Sequence, residues 1–196
     1  MTPGVSTTVF KESLFLASTS PRRAELLRAV GWPFEIVAGG VDESRFQNED
    51  AETYVKRLAR GKAAAAAQKL SSGLVLGADT IVVIDGEILG QPQDDGDSRR
   101  MLQLLNGKWH DVLTGVALLR VDSQECVVDR ELTRVRFARL TDKEIEWYVE
   151  TGEPRGKAGA YGIQGHAALF IEEIAGDYFN IVGLPLRLVY ELSQRI

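Results

Sequence analysis

Apolar residues along this chain fall into short blocks whose spacing predicts alternating strands and helices. Residues 14–17 form a compact apolar run that predicts a strand, and Ser18-Thr19-Ser20-Pro21-Arg22-Arg23 follows at once. Ser20 can cap a helix with Pro21 at its first position, where the missing N–H costs nothing. Leu26, Leu27 and Val30 supply its apolar face and Gly31 can end it. Residues 34–38 predict a second strand. The longest helix is expected over 50–70, through Tyr54, Val55, Leu58 and the alanines at 63–67, since alanine is the best helix former and permits close packing.

Residues 74–84 are almost continuously apolar, the pattern of a strand buried on both faces, interrupted by Gly77, Asp79 and Thr80. A short helix over 97–105 ends at Asn106-Gly107, and long strands are expected over 112–121 and 126–137 with a turn near Asp122-Ser123. Gly115 lies inside the first of these and is read as a packing position. Thr141 with Glu144 forms a capping box for a helix ending at Gly152. A last strand over 169–174 and a closing helix over 184–194, opened by Pro185, complete the chain. Strands and helices mix throughout, which gives an α/β fold with a mixed central sheet and flanking helices rather than a strictly alternating one. Residues 1–12 are expected to be a short tail and 13–196 a single domain.

Composition narrows the functional classes. With 44% hydrophobic and 26% charged residues, the 196-residue chain can bury a proper core. A net charge of -5 argues against a nonspecific nucleic-acid binder, but a few clustered cations can still hold one small anion. Cys126 is the only cysteine, so no intrachain disulfide forms and a reducing, cytoplasmic location is expected. It reads as a plain strand residue, for lack of a basic neighbour or helix N-terminus to activate it. One cysteine with His110 and His166 makes a thiolate or multi-histidine zinc site a poor fit. No apolar run approaches the roughly 20 residues of a membrane span.

Four constellations can carry chemistry. Ser18, Ser20, Arg22 and Arg23 stand where a strand opens into a helix, and free backbone N–H groups with two guanidiniums make an oxyanion cradle there. The competing reading is a capped helix with a solvated basic first turn, although arginine opposes the helix dipole at that end. Asp79 is a carboxylate inside an apolar strand, costly unless paired, hydrogen-bonded or bound to metal. It is a candidate general base or metal ligand, or else a satisfied structural aspartate. Asp42-Glu43 is either a solvated loop pair or a partner of Asp79 for Mg²⁺, which takes one or two carboxylates plus phosphate oxygens. Lys157-Ala158-Gly159-Ala160-Tyr161-Gly162-Ile163-Gln164-Gly165 predicts a tight loop whose backbone can approach a flat ligand; a structural turn accounts for the glycines but not for Lys157 and Gln164. The chain contains neither a Walker-type phosphate loop nor a dinucleotide fingerprint.

At these residues the chain resembles the Maf family of nucleoside triphosphate pyrophosphatases. The matching blocks start with Ser18-Thr19-Ser20-Pro21-Arg22-Arg23-Ala24-Glu25-Leu26-Leu27, then Tyr54-Val55-Lys56-Arg57-Leu58-Ala59 with Lys62, and Gly77-Ala78-Asp79-Thr80. Leu89-Gly90-x-Pro92, His110-x-Val112-x-Thr114-Gly115-Val116, the Lys157 loop and Asn180-Ile181-Val182-Gly183-Leu184-Pro185-Leu186 follow in family order. The resemblance implies two lobes around a nucleotide cleft, an assembly as a homodimer, and neither nucleic acid nor membrane as partner. It implies metal-assisted hydrolysis of a nucleoside triphosphate to the monophosphate and pyrophosphate, with Mg²⁺ or Mn²⁺ on Asp79 and Glu43.

By the same resemblance Asp79 is the proton acceptor for the attacking water, and Arg22, Thr80 and Gln164 influence substrate choice. Ser18, Arg22, Arg23, Lys62 and Lys157 would hold the substrate. The Tyr-Gly-Ile-Gln-Gly form of the loop looks like the dTTP/UTP branch rather than the 7-methyl-GTP branch. Modified pyrimidine nucleotides, in a housecleaning role, differ from this only in substrate. The family's link to septum formation supplies the alternative from another class, a nucleotide-sensing regulator of cell division with weak turnover. Two positions depart from the family pattern: Gln91 stands where lysine is usual, and Gly156 where an acidic residue often precedes the loop lysine.

Overall fold

The computed structural model describes residues 9–196. The expected tail at 1–12 therefore lies, for residues 1–8, outside the described residues. In chain order the elements are β1 (Leu14–Leu16), α1 (Pro21–Ala29), β2 (Glu35–Ile36), α2 (Ala51–Ala67), β3 (Leu74–Ile84), β4 (Glu87–Leu89) and α3 (Asp95–Leu105). They continue with β5 (Trp109–Arg120), β6 (Cys126–Phe137), α4 (Asp142–Glu150), β7 (Ile171–Ala175), α5 (Tyr178–Val182) and α6 (Leu186–Ser193). The strands form one seven-stranded sheet in the order β2-β1-β3-β5-β6-β7, with β4 on β3. β1 runs parallel to β2 and β3, whereas β3–β4 and β6–β7 are antiparallel, so the sheet is mixed as the sequence pattern predicts.

Two compact units emerge from the contacts. Among the described residues the first comprises 9–79, 115–130 and 183–196, and the second 80–114 and 131–182. In the first unit α2 begins at Asp50, whose carboxylate accepts from the Thr53 amide at 2.8 Å. Its buried face is Val55, Leu58, Ala59, Ala63, Ala66 and Ala67. Small side chains there let the helix backbone come down onto the strands, and two strand glycines complete the fit. A Cβ on Gly77 would lie 2.2 Å from the Ala59 carbonyl oxygen, and one on Gly115 would lie 2.3 Å from that of Val55. Gly115 is thus a packing glycine, as expected. Around this contact Ala17, Val75, Ala117 and Leu119 fill the core.

The second unit packs Val82, Ile84, Leu89, Leu102, Leu105, Phe137 and Tyr148 into its own core. His110 is only 2% exposed within that core. Its Nε2 lies 2.9 Å from the Tyr161 hydroxyl, and its ring meets Phe137 and Tyr161 edge-on. Burial pushes its pKa down to about 4, so the imidazole is neutral in the fold.

Local signals were accurate where a side chain closes its own backbone. The Thr141–Glu144 capping box forms, and Gly31 and Gly152 end α1 and α4 at φ 69° and 71°. Other expectations need correction. Ser20 stands at the N-cap of α1 but its side chain makes no capping bond. Instead its amide donates to Ser18 Oγ at 3.2 Å. The strand expected over 34–38 shrinks to two exposed residues. The helix expected from 97 starts at Asp95, because the Asp94 carboxylate caps the Asp97 amide at 2.7 Å. The pattern also missed β4 and α5, elements of three and five residues, too short to show a period.

Two outcomes follow from this packing. Gly77→Ala and Gly115→Ala force a methyl against helix backbone that cannot move aside cheaply. Each should lower unfolding free energy by about 1–3 kcal/mol in urea denaturation, with unchanged m-value. The buried His110 makes stability depend on acid. Its folded pKa lies below its unfolded value of 6.5, so below pH 6.5 only the unfolded chain takes up the proton. That stability is complete above pH 6.5 and drains away toward pH 4, by about 1.4 kcal/mol per pH unit. Between pH 7.5 and 5 the wild type should therefore lose about 2 kcal/mol more than His110→Gln, measured by denaturant melts at both pH values.

Candidate active site

The first unit gathers a carboxylate, two cations and a second carboxylate at the end of its portion of β3. Asp79 is 8% exposed, held in a strand whose neighbours are apolar. Lys62, from the middle of α2, donates to Asp79 Oδ1 at 2.6 Å. The same ammonium stands 2.7 Å from Glu43 Oε1. One lysine thus bridges two carboxylates, and it can do so because Gly77 and Ala63 bring α2 within reach of β3. Burial pushes the Asp79 carboxyl above the ordinary carboxylate range; Lys62 and Arg23 pull it back and Glu43 adds to the rise. The net result is a carboxylate more basic than usual.

Arg23 is oriented inward from the first turn of α1. Its Nη1 donates to the buried Ser18 Oγ at 3.1 Å and its Nε to the Gly183 carbonyl at 2.8 Å. Burial works against its charge, and the field of Asp79 works in its favour. Ser18, Ser20 and Arg23 lie together at the β1–α1 junction, with Arg22 half-buried on the same turn.

The acidic loop is fastened by α2. The Tyr54 hydroxyl donates to the Glu43 carbonyl at 2.6 Å, and Arg57 donates to the Ser44 carbonyl at 2.9 Å. Arg57 also grips the buried Glu49 with two bonds, at 2.6 and 2.8 Å. Asp42 plays a different part from Glu43, since its Oδ1 accepts from the Ser44 amide and closes the turn. Tyr54 and Arg57 belong to the sequence block quoted above, but their role in holding Glu43 is legible only here.

The second unit carries the remaining predicted residues. Thr80, next in the chain after Asp79, is half-buried with its Oγ1 2.9 Å from that of Thr114. Lys157 is half-buried and its ammonium donates to the Glu153 carbonyl. Gln164 is exposed on the loop that follows. Tyr161 is buried against His110 and Phe137, so it anchors the loop. Gln91 is exposed just after β4, and the preceding Gly90 carbonyl accepts from the Gly159 amide at 3.0 Å. Cys126 is half-buried in β6 with its thiol pKa raised by burial, in keeping with a plain strand residue.

Sequence reasoning missed Glu153. This carboxylate, 14% exposed, accepts from the Tyr148 hydroxyl at 2.9 Å and from the His166 amide and Nδ1 at 2.8 and 2.7 Å. Despite the cost of burial its pKa is lowered, because these donors favour the ionised form. The only signal available in the sequence was an acidic residue beside Pro154, which does not reveal the loop donors it meets.

Among the described residues no group of three or more His, Cys, Asp or Glu side chains is placed to hold a metal ion. No described helix is long and apolar enough to cross a membrane.

Comparison with known proteins places these features in a family. The family model described as Maf-like protein matches residues 13–196. The chain is 54% identical over 184 residues to a Symbiobacterium thermophilum protein named dTTP/UTP pyrophosphatase, covering 93% of this chain and 94% of that one. It is 48% identical over 186 residues to a protein of the same name from Geotalea uraniireducens, covering 95% and 96% of the two chains. In fold it is similar to the Staphylococcus aureus Ham1 protein, with a TM-score of 0.53 over 93% of this chain and 98% of that one, at 13% identity. With nearly its whole length matched, and about half of its residues shared with those relatives, the chain belongs to the Maf-like protein family.

Proposed function

We propose that this chain is a nucleoside triphosphate pyrophosphatase that hydrolyses dTTP and UTP to the monophosphate and pyrophosphate, with residues 13–196 acting as one catalytic domain. The observation that carries the reading is Asp79, a desolvated carboxylate of raised basicity whose Oδ1 is tied to Lys62. The names of relatives that share about half of its residues supply the substrate class.

The chemistry follows from the charges. As water adds to the α phosphorus, its proton passes to Asp79 Oδ2 and the bridging oxygen leaves with pyrophosphate. General base catalysis of this kind contributes about 10²–10⁴-fold. Lys62 keeps Asp79 ionised against its desolvation and, with Arg22, Arg23 and Lys157, neutralises phosphate oxygens as charge builds on them. Ser18 holds the Arg23 guanidinium in place. Gln164 offers an amide donor and acceptor to the imide edge of uracil or thymine, and Thr80 contributes to substrate choice beside the catalytic aspartate.

Asp79 and Glu43, brought together on the Lys62 ammonium, are the pair of carboxylates available to a divalent cation, Mg²⁺ or Mn²⁺. Those two carboxylates would hold it, with phosphate oxygens completing its shell. Such an ion, when bound, neutralises phosphate charge and polarises water. The resemblance supports a homodimer, and the single cysteine supports a reducing, cytoplasmic setting.

Pyrophosphate release from a nucleotide panel with Mg²⁺ or Mn²⁺ tests the assignment directly. dTTP and UTP should be turned over with higher kcat/KM than 7-methyl-GTP, and the opposite order would overturn the branch. Asp79→Asn should cost at least about 10²-fold in kcat while circular dichroism remains native; wild-type turnover in a folded variant would remove Asp79 from the chemistry.

The pH profile supplies a second check. Activity requires ionised Asp79, so kcat/KM should fall as pH drops through a pKa above the ordinary carboxylate range. Lys62 lowers that pKa, and Lys62→Met should therefore move the acidic limb of the profile to higher pH, besides raising KM. An unmoved limb would show that Lys62 acts only on substrate.

A further inference from the structure

Gln164 stands between two anchored stretches of one loop, and both anchors lead to Glu153. On the C-terminal side, Glu153 Oε2 accepts from the His166 amide at 2.8 Å and from His166 Nδ1 at 2.7 Å, and Oε1 receives the Ala167 amide at 3.4 Å. On the N-terminal side, Oε1 accepts from the Tyr148 hydroxyl at 2.9 Å, and that hydroxyl in turn accepts from the Gly162 amide at 3.2 Å. Lys157, which opens the loop, donates to the Glu153 carbonyl.

Gly165 is explained by the same carboxylate, and Gly162 by the Lys157 side chain that is bonded to the Glu153 backbone. A Cβ on Gly165 would lie 2.3 Å from Glu153 Oε2, and one on Gly162 would lie 2.7 Å from Lys157 Cε. Both absences of side chain make room for the clamp. Ile163 and Tyr161 are buried, whereas Gln164 is exposed. The residue left to project is thus the one amide side chain that can read a base edge.

From this arrangement we infer that Glu153 is a positioning residue for nucleobase selection: its carboxylate fixes the backbone on both sides of Gln164 and so sets where that amide points. The inference rests on the reading that Gln164 meets the base. Ionisation matters, because a carboxylate accepts from every donor around it, whereas the amide of Glu153→Gln presents N–H groups to donors. Discrimination between bases is sensitive to such placement, since a misplaced amide leaves polar groups unpaired on one side of the contact.

The test compares UTP with CTP, which differ in the donor and acceptor pattern of the base, in wild type, Gln164→Ala, Glu153→Gln and the double variant. Gln164→Ala should lower the UTP-over-CTP ratio of kcat/KM about tenfold. Glu153→Gln should lower it by a similar factor, more than it lowers CTP turnover itself, and the double variant should fall no further than Gln164→Ala alone. In the unliganded protein, Glu153→Gln should speed hydrogen exchange of the 162, 166 and 167 amides at least about tenfold while helices α3 and α4 remain protected. Tyr148→Phe cuts only the link to Gly162, and should act in the same direction if Glu153→Gln fails to fold.

Multiplying effects in the double variant, or equal loss on both nucleotides, would reduce Glu153 to a structural carboxylate and overturn the inference. Unchanged exchange at those amides would overturn it independently of any activity. If exchange rises but Gln164→Ala leaves the ratio untouched, the clamp stands and the placement of Gln164 at the base is what fails.

Discussion

The close approach of α2 to the sheet is the constraint on which the rest of the first unit depends. Gly77 and Gly115 leave no room for a Cβ between strand and helix, and Ala59 and Ala63 keep the helix surface flat at the contact. A larger residue at any of these places would lift the helix away. Lys62 follows from that geometry: it sits beside Ala63, and only because the helix backbone lies on β3 does its ammonium reach Asp79 at 2.6 Å. Tyr54 and Arg57, earlier on the same helix, hold the Glu43 loop against it. One packing contact therefore sets the distances among three charged groups.

Electrostatics then decides what those groups can do. Burial by itself raises the pKa of a carboxylate such as Asp79, and a buried pair with one lysine would be tightly locked. Here the ammonium is divided between Asp79 and the more exposed Glu43, and the second carboxylate raises the basicity of the first. Arg23 adds its field to the balance, its guanidinium held by Ser18 and a backbone carbonyl. In the second unit the same logic appears in Glu153, where donors outweigh burial and the charge is spent on holding a loop.

Much of this was legible in the sequence, for reasons that differ from residue to residue. Capping boxes and helix-ending glycines are local signals, and Thr141 and Gly152 behaved as read; the carboxylate in an apolar run, Asp79, has Lys62 as a partner. The ordered blocks from Ser18 to Leu186 carried the family. Elements as short as β4 and α5 left no periodic trace, and Ser20 stands at the N-cap of α1 without a side-chain capping bond. The loop around Tyr161 was read as a tight loop, but that the Tyr161 hydroxyl has a partner in His110, fifty-one positions earlier, was not visible in its spacing.

What the sequence determined by itself was the set of chemical groups and the local backbone that bears them: which residues can accept a proton, grip an oxyanion or open a helix. Those properties reside in single side chains and their near neighbours. Tertiary structure alone decided that Lys62 serves both Asp79 and Glu43, that Asp42 closes a turn, and that Glu153 commands the Gln164 loop. Each of these depends on a distance between residues far apart in the chain. Such distances are set by packing of the whole unit, where a strand glycine without a side chain matters as much as the charge it brings within reach.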